Sequence, residues 1–404
     1  MTGRAMEGLS ERTEVRFGRG ALDALGAVLE ERGARRVLVV HGRSSFRSGT
    51  RAERVARSAP DVRFFGGIRP NPGVGQVAEA VERARRFAPD AVVGIGGGSA
   101  MDAAKAVAVL AAPGADGADV AAHLRRPELV RWPRVRTLVL VPTVSGSGSE
   151  LTRFATVYEG ERKLSLDHPE AAADTALVDP DLTASVPPHT AAASALDAFC
   201  QGVESYWSVA GTDASRELAL GAVETVAPPL LRAVGGAGGG DGAYGTGGAG
   251  FTDPGLREEL ARGALMAGAA IDRTRTTAAH ALSYGLTAGH GVPHGYAVGL
   301  HLRWLVGHNA AVTEEDNRHP DGARALRGLV ERVRGACRHA GADGVEHLVD
   351  RVLAFGGMPE SVPEHGGWAD ALASRRADNN PRAVTERDVL RAMTENTERM
   401  HTHG

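Results

Sequence analysis

The first half of the chain alternates short apolar runs with segments of helical periodicity. The apolar runs predict β-strands over 36–40, 61–66, 91–95, 137–142 and 176–180. The helical periodicity predicts helices over 74–87 and 101–110. Strands separated by helices are typical of a parallel sheet with helices on both faces, and such sheets bind ligands beyond the carboxyl ends of their strands.

The pattern changes after Arg153. Two short strands over 154–158 and 163–166, joined by Glu159-Gly-Glu-Arg162, predict a hairpin. Helical patterns then dominate, over 190–207, 213–233, 255–284, 295–311, 322–339, 344–355 and 385–399. We therefore place a domain boundary at Pro187-Pro188, between an α/β domain (1–188) and an all-helical domain (189–404). The glycine-rich stretch at about 235–250 is predicted to be a mobile surface insertion.

Composition narrows the class of protein. A hydrophobic content of 43% and a charged content of 24% are those of a globular protein. The net charge of −3 argues against a nucleic-acid partner. Two cysteines, Cys200 and Cys337, argue against a disulfide scaffold and fit a reducing compartment. Because the chain also has no long apolar run, we expect a cytoplasmic protein without a membrane partner.

A triple-glycine turn follows the predicted strand 91–95. Gly96-Gly97-Gly98-Ser99 lets the backbone approach a ligand closely, and the helix that starts there offers free N–H groups to an anion. Ser99 and Asp102 resemble a capping box at this helix start. A second polar loop, which contains Thr143 and Ser147, follows the strand 137–142. The two loops predict a phosphate or nucleotide site, although the turn is not the GxGxxG fingerprint.

Two histidines stand close to a break in the helical pattern. His280 is predicted near the end of one helix and His294 immediately before the next, so that a tight turn would bring both imidazoles together. Imidazole is a common ligand for zinc and iron. Asp197 and Gln201 lie one helical turn apart in another segment and share a helix face. These four side chains are candidate metal ligands.

In combination these motifs resemble the iron-containing (group III) alcohol dehydrogenase family. The interval between His280 and His294 equals the spacing of that family's metal histidines. The resemblance also covers, in chain order, Asn71-Pro72, Gly96 to Lys105, Pro142 to Glu150, Lys163, Asp179-Pro180, Asp197-Ala198, Ala267-Gly268 and Pro293-His294-Gly295. It implies a dehydroquinate synthase-like fold, in which an α/β dinucleotide-binding domain precedes an all-α domain and the cofactor meets the metal in the cleft.

The resemblance also implies site residues. The metal ligands would be Asp197, His280 and His294, with Gln201 where the family usually has a histidine. Tyr284 replaces another histidine of the pattern, so Tyr284, His290 or water would supply the proton, and the catalytic set would be His280, His294, Tyr284 and His290. The cofactor would contact Gly42, Arg43, Asn71, Gly96, Gly97, Gly98, Ser99, Asp102, Thr143, Val144, Ser147 and Lys163.

Two departures affect the cofactors. A Gln201 oxygen is a weaker ligand than imidazole, so the site would hold one divalent metal, iron(II) ahead of zinc(II), or would have lost it. Arg43 and Ser44 stand where the family often has an acidic residue after the first strand. A carboxylate there would bind the ribose hydroxyl, whereas Arg43 could accept a 2′-phosphate. Either NADH or NADPH is therefore expected.

Local sequences around Asp197, Tyr158 and His280 are similar to the phosphonoacetaldehyde reductase branch of the family. This similarity implies reduction of a small aldehyde, phosphonoacetaldehyde, to 2-hydroxyethylphosphonate in phosphonate biosynthesis, by an enzyme that forms a homodimer. The candidate substrate contacts are Arg153, Arg275, Thr276 and Thr277, since a phosphonate needs cations and hydroxyls. The alternatives are a maleylacetate reductase, another iron-type alcohol dehydrogenase, or a non-catalytic nucleotide-binding module.

Overall fold

The computed structural model describes residues 4–5, 8–43, 50–115, 117–160, 162–235, 247–358 and 368–392. The chain divides into two compact units, an N-terminal unit over 1–185 and a C-terminal unit over 186–404. The two units have different architectures, as the apolar pattern predicts, because all the strands among the described residues lie in the first unit and long helices dominate the second.

The N-terminal unit is built on a seven-stranded sheet. Its strand order is β1-β2-β9-β6-β5-β3-β4, and all neighbours are parallel except β1 and β2. A separate antiparallel hairpin consists of β7 and β8. The strands are β1 (Arg4–Ala5), β2 (Glu14–Phe17), β3 (Arg36–Gly42), β4 (Asp61–Ile68), β5 (Ala91–Gly96), β6 (Thr137–Pro142), β7 (Phe154–Glu159), β8 (Arg162–Asp167) and β9 (Thr175–Val178).

Helices cover the sheet of the N-terminal unit. Strands β5 and β6 are buried at every position, which explains why their sequences are continuous apolar runs rather than alternating ones. The helices are α1 (Leu25–Glu31), α2 (Thr50–Ala56), α3 (Val74–Phe87), α4 (Gly98–Leu110) and α5 (Val120–Arg125). Since parallel strands share one carboxyl edge, the residues after β5 and β6 lie side by side.

The C-terminal unit is helical throughout its named elements, with one large apolar core. Its helices are α6 (Pro188–Trp207), α7 (Asp213–Gly235), α8 (Pro254–Thr274), α9 (Ala278–Gly289), α10 (His294–Ala310), α11 (Gly322–His339), α12 (Val345–Phe355), α13 (Trp368–Leu372) and α14 (Arg375–Asp378). Residues 386–392 are helical as well, and the rest of the helix predicted over 385–399 lies outside the described residues. The parallel-sheet and helical fold class is therefore confirmed.

The helix predicted over 255–284 is wrong, because it is two helices. Helix α8 ends at Thr274, and Arg275 takes a left-handed backbone conformation with φ 65°. Helix α9 begins at Ala278, so His280 lies in its first turn and not near the end of a long helix. Gly285, which is expected to stop the helix, lies inside α9.

The glycine-rich insertion falls mostly outside the described residues. Its last part, Gly247–Thr252, forms a 3₁₀ turn. A Cβ on Gly250 would lie 2.6 Å from the Cα of Ala233 on α7, so this end of the insertion packs against a helix. The mobility predicted for the rest of the insertion stays a prediction.

Among the described residues, one helix is long and apolar enough to cross a membrane by length and composition. It is α7, and its residues Val223, Val226 and Leu230 are fully buried in the core of the C-terminal unit. Its apolar character is therefore explained by packing between helices.

Candidate active site

Three side chains from three helices of the C-terminal unit converge on one point. Asp197 on α6, His280 on α9 and His294 on α10 place one donor atom each within 4.8 Å of the others. His280 Nε2 lies 3.1 Å from Asp197 Oδ1, and the two imidazole rings are 5.5 Å apart, edge to face. Asp197 and His280 are buried, and His294 is half-buried. We call these residues the His–Asp cluster.

A glycine lets the third of these helices reach the cluster. A Cβ on Gly295 would lie 1.8 Å from the carbonyl oxygen of Ala193 and 3.1 Å from the amide nitrogen of Asp197. Only a residue without a side chain permits this approach of α10 to α6. His294 therefore starts α10 directly beside Asp197.

Glu204, to which the sequence analysis assigns no role, orients the first imidazole. It lies seven residues after Asp197 on α6 and is fully buried. His280 Nδ1 donates a short hydrogen bond to Glu204 Oε2. Glu204 Oε1 accepts hydrogen bonds from Thr277 Oγ1 at 2.7 Å and from the backbone nitrogen of Ala279 at 2.9 Å. A neutral His280 with its proton on Nδ1 would present the lone pair of Nε2 to a bound metal, whereas a protonated His280 donates from Nε2 to Asp197.

A signal for Glu204 was present in the sequence. Asp197, Gln201 and Glu204 follow the spacing of one helix face, within a segment that is otherwise strongly apolar. A buried acid in such a segment needs a partner, and His280 is that partner.

The buried charges of the cluster compensate one another. Burial by itself lowers the pKa of His280, but the charges of Glu204 and Asp197 and their hydrogen bonds outweigh it and raise that pKa. Burial raises the pKa of Asp197, but the hydrogen bond from His280 and the charge of His294 bring the net pKa below its ordinary value. The pKa of Glu204 is lowered by the same balance, with burial again opposed by His280. Asp197 in the cluster and Glu204 beside it are therefore both kept ionised.

Gln201 and Tyr284 border the cluster. Gln201 is buried one turn after Asp197, and its side-chain amide hydrogen-bonds the Asp197 carboxylate. Tyr284 is half-buried, and its ring lies parallel to that of His294 at an interplanar angle of 9°, with 6.4 Å between centroids. By contrast, His290 is exposed at the C-cap of α9 and is not part of the cluster.

The turn between α8 and α9 changes the expected substrate contacts. Arg275, Thr276 and Thr277 lie in the turn between the two helices and do not belong to the helix of His280. The hydroxyl of Thr277 donates a hydrogen bond to Glu204 and accepts one from Trp207 Nε1. The hydroxyl of Thr276 is buried without a hydrogen-bond partner among the described residues. Arg275 is half-buried and donates to the carbonyl oxygen of Asp272 at 3.3 Å.

The triple-glycine turn forms the expected loop in the N-terminal unit. Helix α4 begins at Gly98, and Gly97 is its N-cap without a side-chain hydrogen bond, so the predicted capping box is wrong. Ser99 Oγ instead accepts a hydrogen bond from the backbone nitrogen of Asn71 at 3.2 Å. A Cβ on Gly98 would lie 2.9 Å from Ser147 Oγ, so the turn passes very close to the second polar loop.

Two further candidates, Thr143 and Val144 of the second loop, lie beside this turn. The backbone nitrogen of Thr143 donates to the Gly96 carbonyl oxygen at 2.9 Å, and a Cβ on Gly97 would lie 3.7 Å from Val144. Lys163 on β8 is paired with Tyr158, whose backbone nitrogen bonds the carbonyl oxygen of Pro72.

Asp102 and Lys105, on the helix α4 that follows the triple-glycine turn, hold the end of the second polar loop through Ser149. Asp102 accepts hydrogen bonds from Ser149 Oγ at 2.6 Å and from the backbone nitrogen of Thr156 at 2.8 Å. The fully buried Lys105 donates to Ser149 Oγ, Thr152 Oγ1 and the Phe154 carbonyl oxygen, each at 2.9 Å. The structure therefore uses Asp102 to fix the loops, with both of its carboxylate oxygens engaged.

The end of β3 lies beside the glycine turn. His41 on β3 pairs with Ile95, which immediately precedes Gly96, so Gly42 and the exposed Arg43 are at the same edge of the sheet. Ser44 lies outside the described residues. Arg153, a candidate substrate contact, belongs to the N-terminal unit and forms an ion pair with Asp167 at 3.7 Å.

The donor set of the His–Asp cluster fits a divalent transition metal. Two imidazoles and one carboxylate are typical ligands of iron(II) and also suit zinc(II). The hydrogen bond from His280 Nδ1 to Glu204 is the kind of contact that fixes a metal-binding imidazole.

Comparison with known proteins agrees with this arrangement. Residues 12–180 match the family model of the iron-containing alcohol dehydrogenases, and residues 191–397 match the model of the C-terminal part of the Fe-containing alcohol dehydrogenase family. The phosphonoacetaldehyde reductase of Streptomyces viridochromogenes is 32% identical over 81% of this chain and 81% of its own. The long-chain-alcohol dehydrogenase 1 of Geobacillus thermodenitrificans is 32% identical over 92% of this chain and 89% of its own.

A solved structure supports the fold. The sulfoacetaldehyde reductase of Bifidobacterium kashiwanohense, determined in complex with NAD⁺, superposes with a TM-score of 0.78 at 24% identity, over 98% of this chain and 99% of its own. The two family models together match most of the chain. The chain therefore belongs to the iron-containing alcohol dehydrogenase family, and it is an oxidoreductase of the alcohol dehydrogenase and aldehyde reductase type.

Proposed function

We propose that this protein reduces phosphonoacetaldehyde to 2-hydroxyethylphosphonate with NADH or NADPH. The observation that carries the enzymatic part of the proposal is the convergence of Asp197, His280 and His294 within 4.8 Å. The substrate is supported by the phosphonoacetaldehyde reductase of Streptomyces viridochromogenes, which is 32% identical to this chain.

The C-terminal unit would hold the metal through Asp197, His280 and His294, with Gln201 as a further oxygen donor or as the group that orients Asp197. Iron(II) is proposed ahead of zinc(II), because two imidazoles and a carboxylate are a frequent iron(II) set. When bound, the metal acts as a Lewis acid on the aldehyde oxygen and the nicotinamide supplies the hydride. Glu204 would keep the lone pair of His280 Nε2 directed at the metal.

Two side chains take further parts in the reaction. Tyr284 is the proposed proton donor to the product alkoxide, because its ring lies against His294 and its hydroxyl is buried. The hydroxyl of Thr276 is a proposed contact for a substrate oxygen, because it is buried without a partner among the described residues.

The N-terminal unit would bind the dinucleotide. Gly96 to Ser99 would hold the pyrophosphate, since the N-terminus of α4 offers free N–H groups there. Thr143, Val144, Ser147 and Lys163 would line the nicotinamide half, and Asn71 would help to shape the site through its bond to Ser99. Because Arg43 stands where a carboxylate would repel a 2′-phosphate, both dinucleotides are proposed to bind.

The test is an absorbance assay of NADPH and NADH oxidation by the iron(II)-loaded protein. We expect phosphonoacetaldehyde to be reduced with a higher kcat/KM than long-chain aldehydes or maleylacetate. A preference for a long-chain aldehyde would contradict the proposed substrate. Full activity on maleylacetate after chelation would instead identify a maleylacetate reductase. Absence of turnover with every aldehyde and keto-acid, despite dinucleotide binding, would leave a non-catalytic nucleotide-binding module.

A further inference from the structure

Arg376 lies close to Tyr284, the ring that borders the His–Asp cluster. Arg376, on α14, places its guanidinium carbon 5.6 Å from the centroid of the Tyr284 ring. The Tyr284 ring in turn lies parallel to His294, 6.4 Å away. Arg376 is half-buried. The distance from the guanidinium carbon of Arg376 to the centroid of the His294 ring therefore cannot exceed the sum of these two distances.

The position of Arg376 is fixed by the residue at the end of its helix. Asn379, the C-cap of α14, donates from Nδ2 to the carbonyl oxygens of Thr274 at 2.8 Å and Thr276 at 3.1 Å. Its Oδ1 accepts a hydrogen bond from Ser208 Oγ at 2.9 Å. Ala377, next to Arg376, is buried. Helix α14 is thus anchored to the turn that leads into α9, the helix of His280 and Tyr284.

An anionic substrate needs such a cation at this cluster. The imidazoles beside Asp197 and Glu204 are already paired with these two buried carboxylates, so a further anion needs a cation of its own. Guanidinium binds phosphonate, sulfonate and carboxylate groups through paired N–H donors, which gives both charge and geometric fit. Arg275, the arginine of this unit that is predicted as a substrate contact, lies instead at the C-cap of α8, where it donates to the Asp272 carbonyl oxygen.

We infer that Arg376 binds the anionic group of the aldehyde and so restricts the enzyme to small aldehydes that carry a negative charge. This inference rests on the proposed function, because it takes the aldehyde oxygen to be bound at the His–Asp cluster. A two-carbon phosphonate bridges about 9 Å between a metal and a guanidinium carbon when typical ligand and hydrogen-bond lengths are added to its own. The guanidinium carbon of Arg376 lies at most about 12 Å from the centroid of the His294 ring, so these distances permit such a span.

The test compares charged and neutral substrates in Arg376 variants of the full-length, iron(II)-loaded protein. Phosphonoacetaldehyde, sulfoacetaldehyde and succinic semialdehyde are the charged substrates, and propanal is the neutral one. We expect Arg376→Met to lower kcat/KM for the preferred charged aldehyde by about 100-fold while propanal changes by less than about 3-fold. Arg376→Lys should recover part of the loss, because it restores the charge without the paired donors. Arg375→Met, at the exposed neighbouring position, is the matched control and should change neither.

Binding gives a second readout. Calorimetric titration with 2-hydroxyethylphosphonate should show binding to the parent protein and to Arg375→Met, and about 100-fold weaker binding to Arg376→Met. Equal losses on propanal and on the charged aldehydes, or unchanged binding in Arg376→Met, would overturn the inference. If the parent protein prefers a different charged aldehyde and that preference depends on Arg376, the proposed phosphonate substrate fails while the inference stands. If the parent protein prefers propanal to all three charged aldehydes, the inference fails.

Discussion

At the scale of single residues, the candidate site depends on a carboxylate that does not belong to the His–Asp cluster. Glu204 receives hydrogen bonds from His280, from the Thr277 hydroxyl and from backbone nitrogens at the start of α9. It therefore sets the orientation of the His280 ring and also satisfies N–H groups that a helix start leaves without a partner. Its charge is stabilised only while these donors surround it.

We predict that Glu204→Gln weakens metal binding by about 10–100-fold, the usual effect of losing the partner of a metal-binding imidazole. The amide of Gln has one accepting oxygen where the carboxylate of Glu204 has two. It therefore cannot accept from both His280 Nδ1 and the donors at the start of α9, and the proton of His280 is no longer fixed on Nδ1. Calorimetric titration of the metal-free protein with iron(II) or zinc(II) measures the change. The matched control is Glu224→Gln on the exposed face of α7. Equal affinity in both variants would show that Glu204 does not orient His280.

Glu150 makes a second prediction, on stability. Burial raises its pKa from an ordinary value of 4.5 to about 7, although Lys105 acts in the opposite direction. The folded state holds this proton more tightly than the unfolded state. The free energy of unfolding therefore falls as the pH rises from 4.5 to about 7, by about 3 kcal/mol in total, and stays constant with respect to Glu150 above pH 7. Glu150→Gln should remove this loss, so that the free energy of unfolding of the variant increases relative to that of the parent protein as the pH rises.

Urea unfolding of the parent protein and of Glu150→Gln at a series of pH values from 5 to 8 tests this prediction, with pH as the only variable. The exposed Glu128→Gln is the control, and its difference from the parent protein should not depend on pH. A constant difference between Glu150→Gln and the parent protein across the series would mean that Glu150 is already ionised in the folded state.

At the scale of secondary-structure elements, the cluster depends on where helices begin. Helix α9 begins after the turn at Arg275 to Thr277, which puts His280 in its first turn. Helix α10 begins at His294 because Gly295 can lie against the backbone of α6. The spacing between the two histidines is therefore the consequence of two helix starts and the loop between them.

We predict that Gly295→Ala disrupts the cluster. The new Cβ would lie 1.8 Å from the Ala193 carbonyl oxygen, so α10 must move away from α6 and carry His294 with it. Destabilisation by about 1–3 kcal/mol or more is expected from such overpacking, together with a loss of metal affinity. Thermal unfolding and metal titration measure the two effects.

The control for this variant is Gly289→Ala, at the exposed end of α9, where a Cβ meets nothing within 4 Å. Because glycine in a helix is entropically unfavourable, this change should be neutral or stabilise by up to about 1 kcal/mol. Normal metal binding in Gly295→Ala would show that α10 can shift without moving His294 out of the cluster.

The elements also show what the sequence can and cannot predict. Strands β3 to β9 and the helix Val74–Phe87 follow from apolar patterning, because burial determines both the pattern and the structure, whereas the short strands β1 and β2 are not predicted by it. The break at Arg275 has no glycine or proline to signal it, and its carbonyl oxygens are bound by Asn379, a hundred residues later. The contact of Arg376 with Tyr284 likewise joins two residues that are far apart in the sequence. Local patterns cannot reveal partners of this kind.

At the scale of the whole molecule, the candidate contacts for the dinucleotide and those for the metal belong to different units. The glycine turn, the second polar loop and the buried Lys105 network all belong to the N-terminal unit. The His–Asp cluster, Glu204 and Arg376 all belong to the C-terminal unit. Binding of the dinucleotide and binding of the metal should therefore be separable by experiment, since no described ligand candidate for the metal lies in the N-terminal unit.

We predict that removing the metal abolishes turnover and leaves dinucleotide affinity within about 3-fold of its original value. The reason is that Asp197, His280 and His294 contribute nothing to the contacts proposed for the pyrophosphate. Metal removal should also lower thermal stability, because a ligand present at about 100 times its Kd stabilises the state that binds it by about 2.7 kcal/mol. Activity assay, calorimetric titration with NADPH and thermal unfolding, each of the chelated protein and again after iron(II) is restored, measure the three effects. Turnover that survives chelation would remove the metal from the mechanism, whereas NADPH binding lost together with the metal would show that the two sites are coupled.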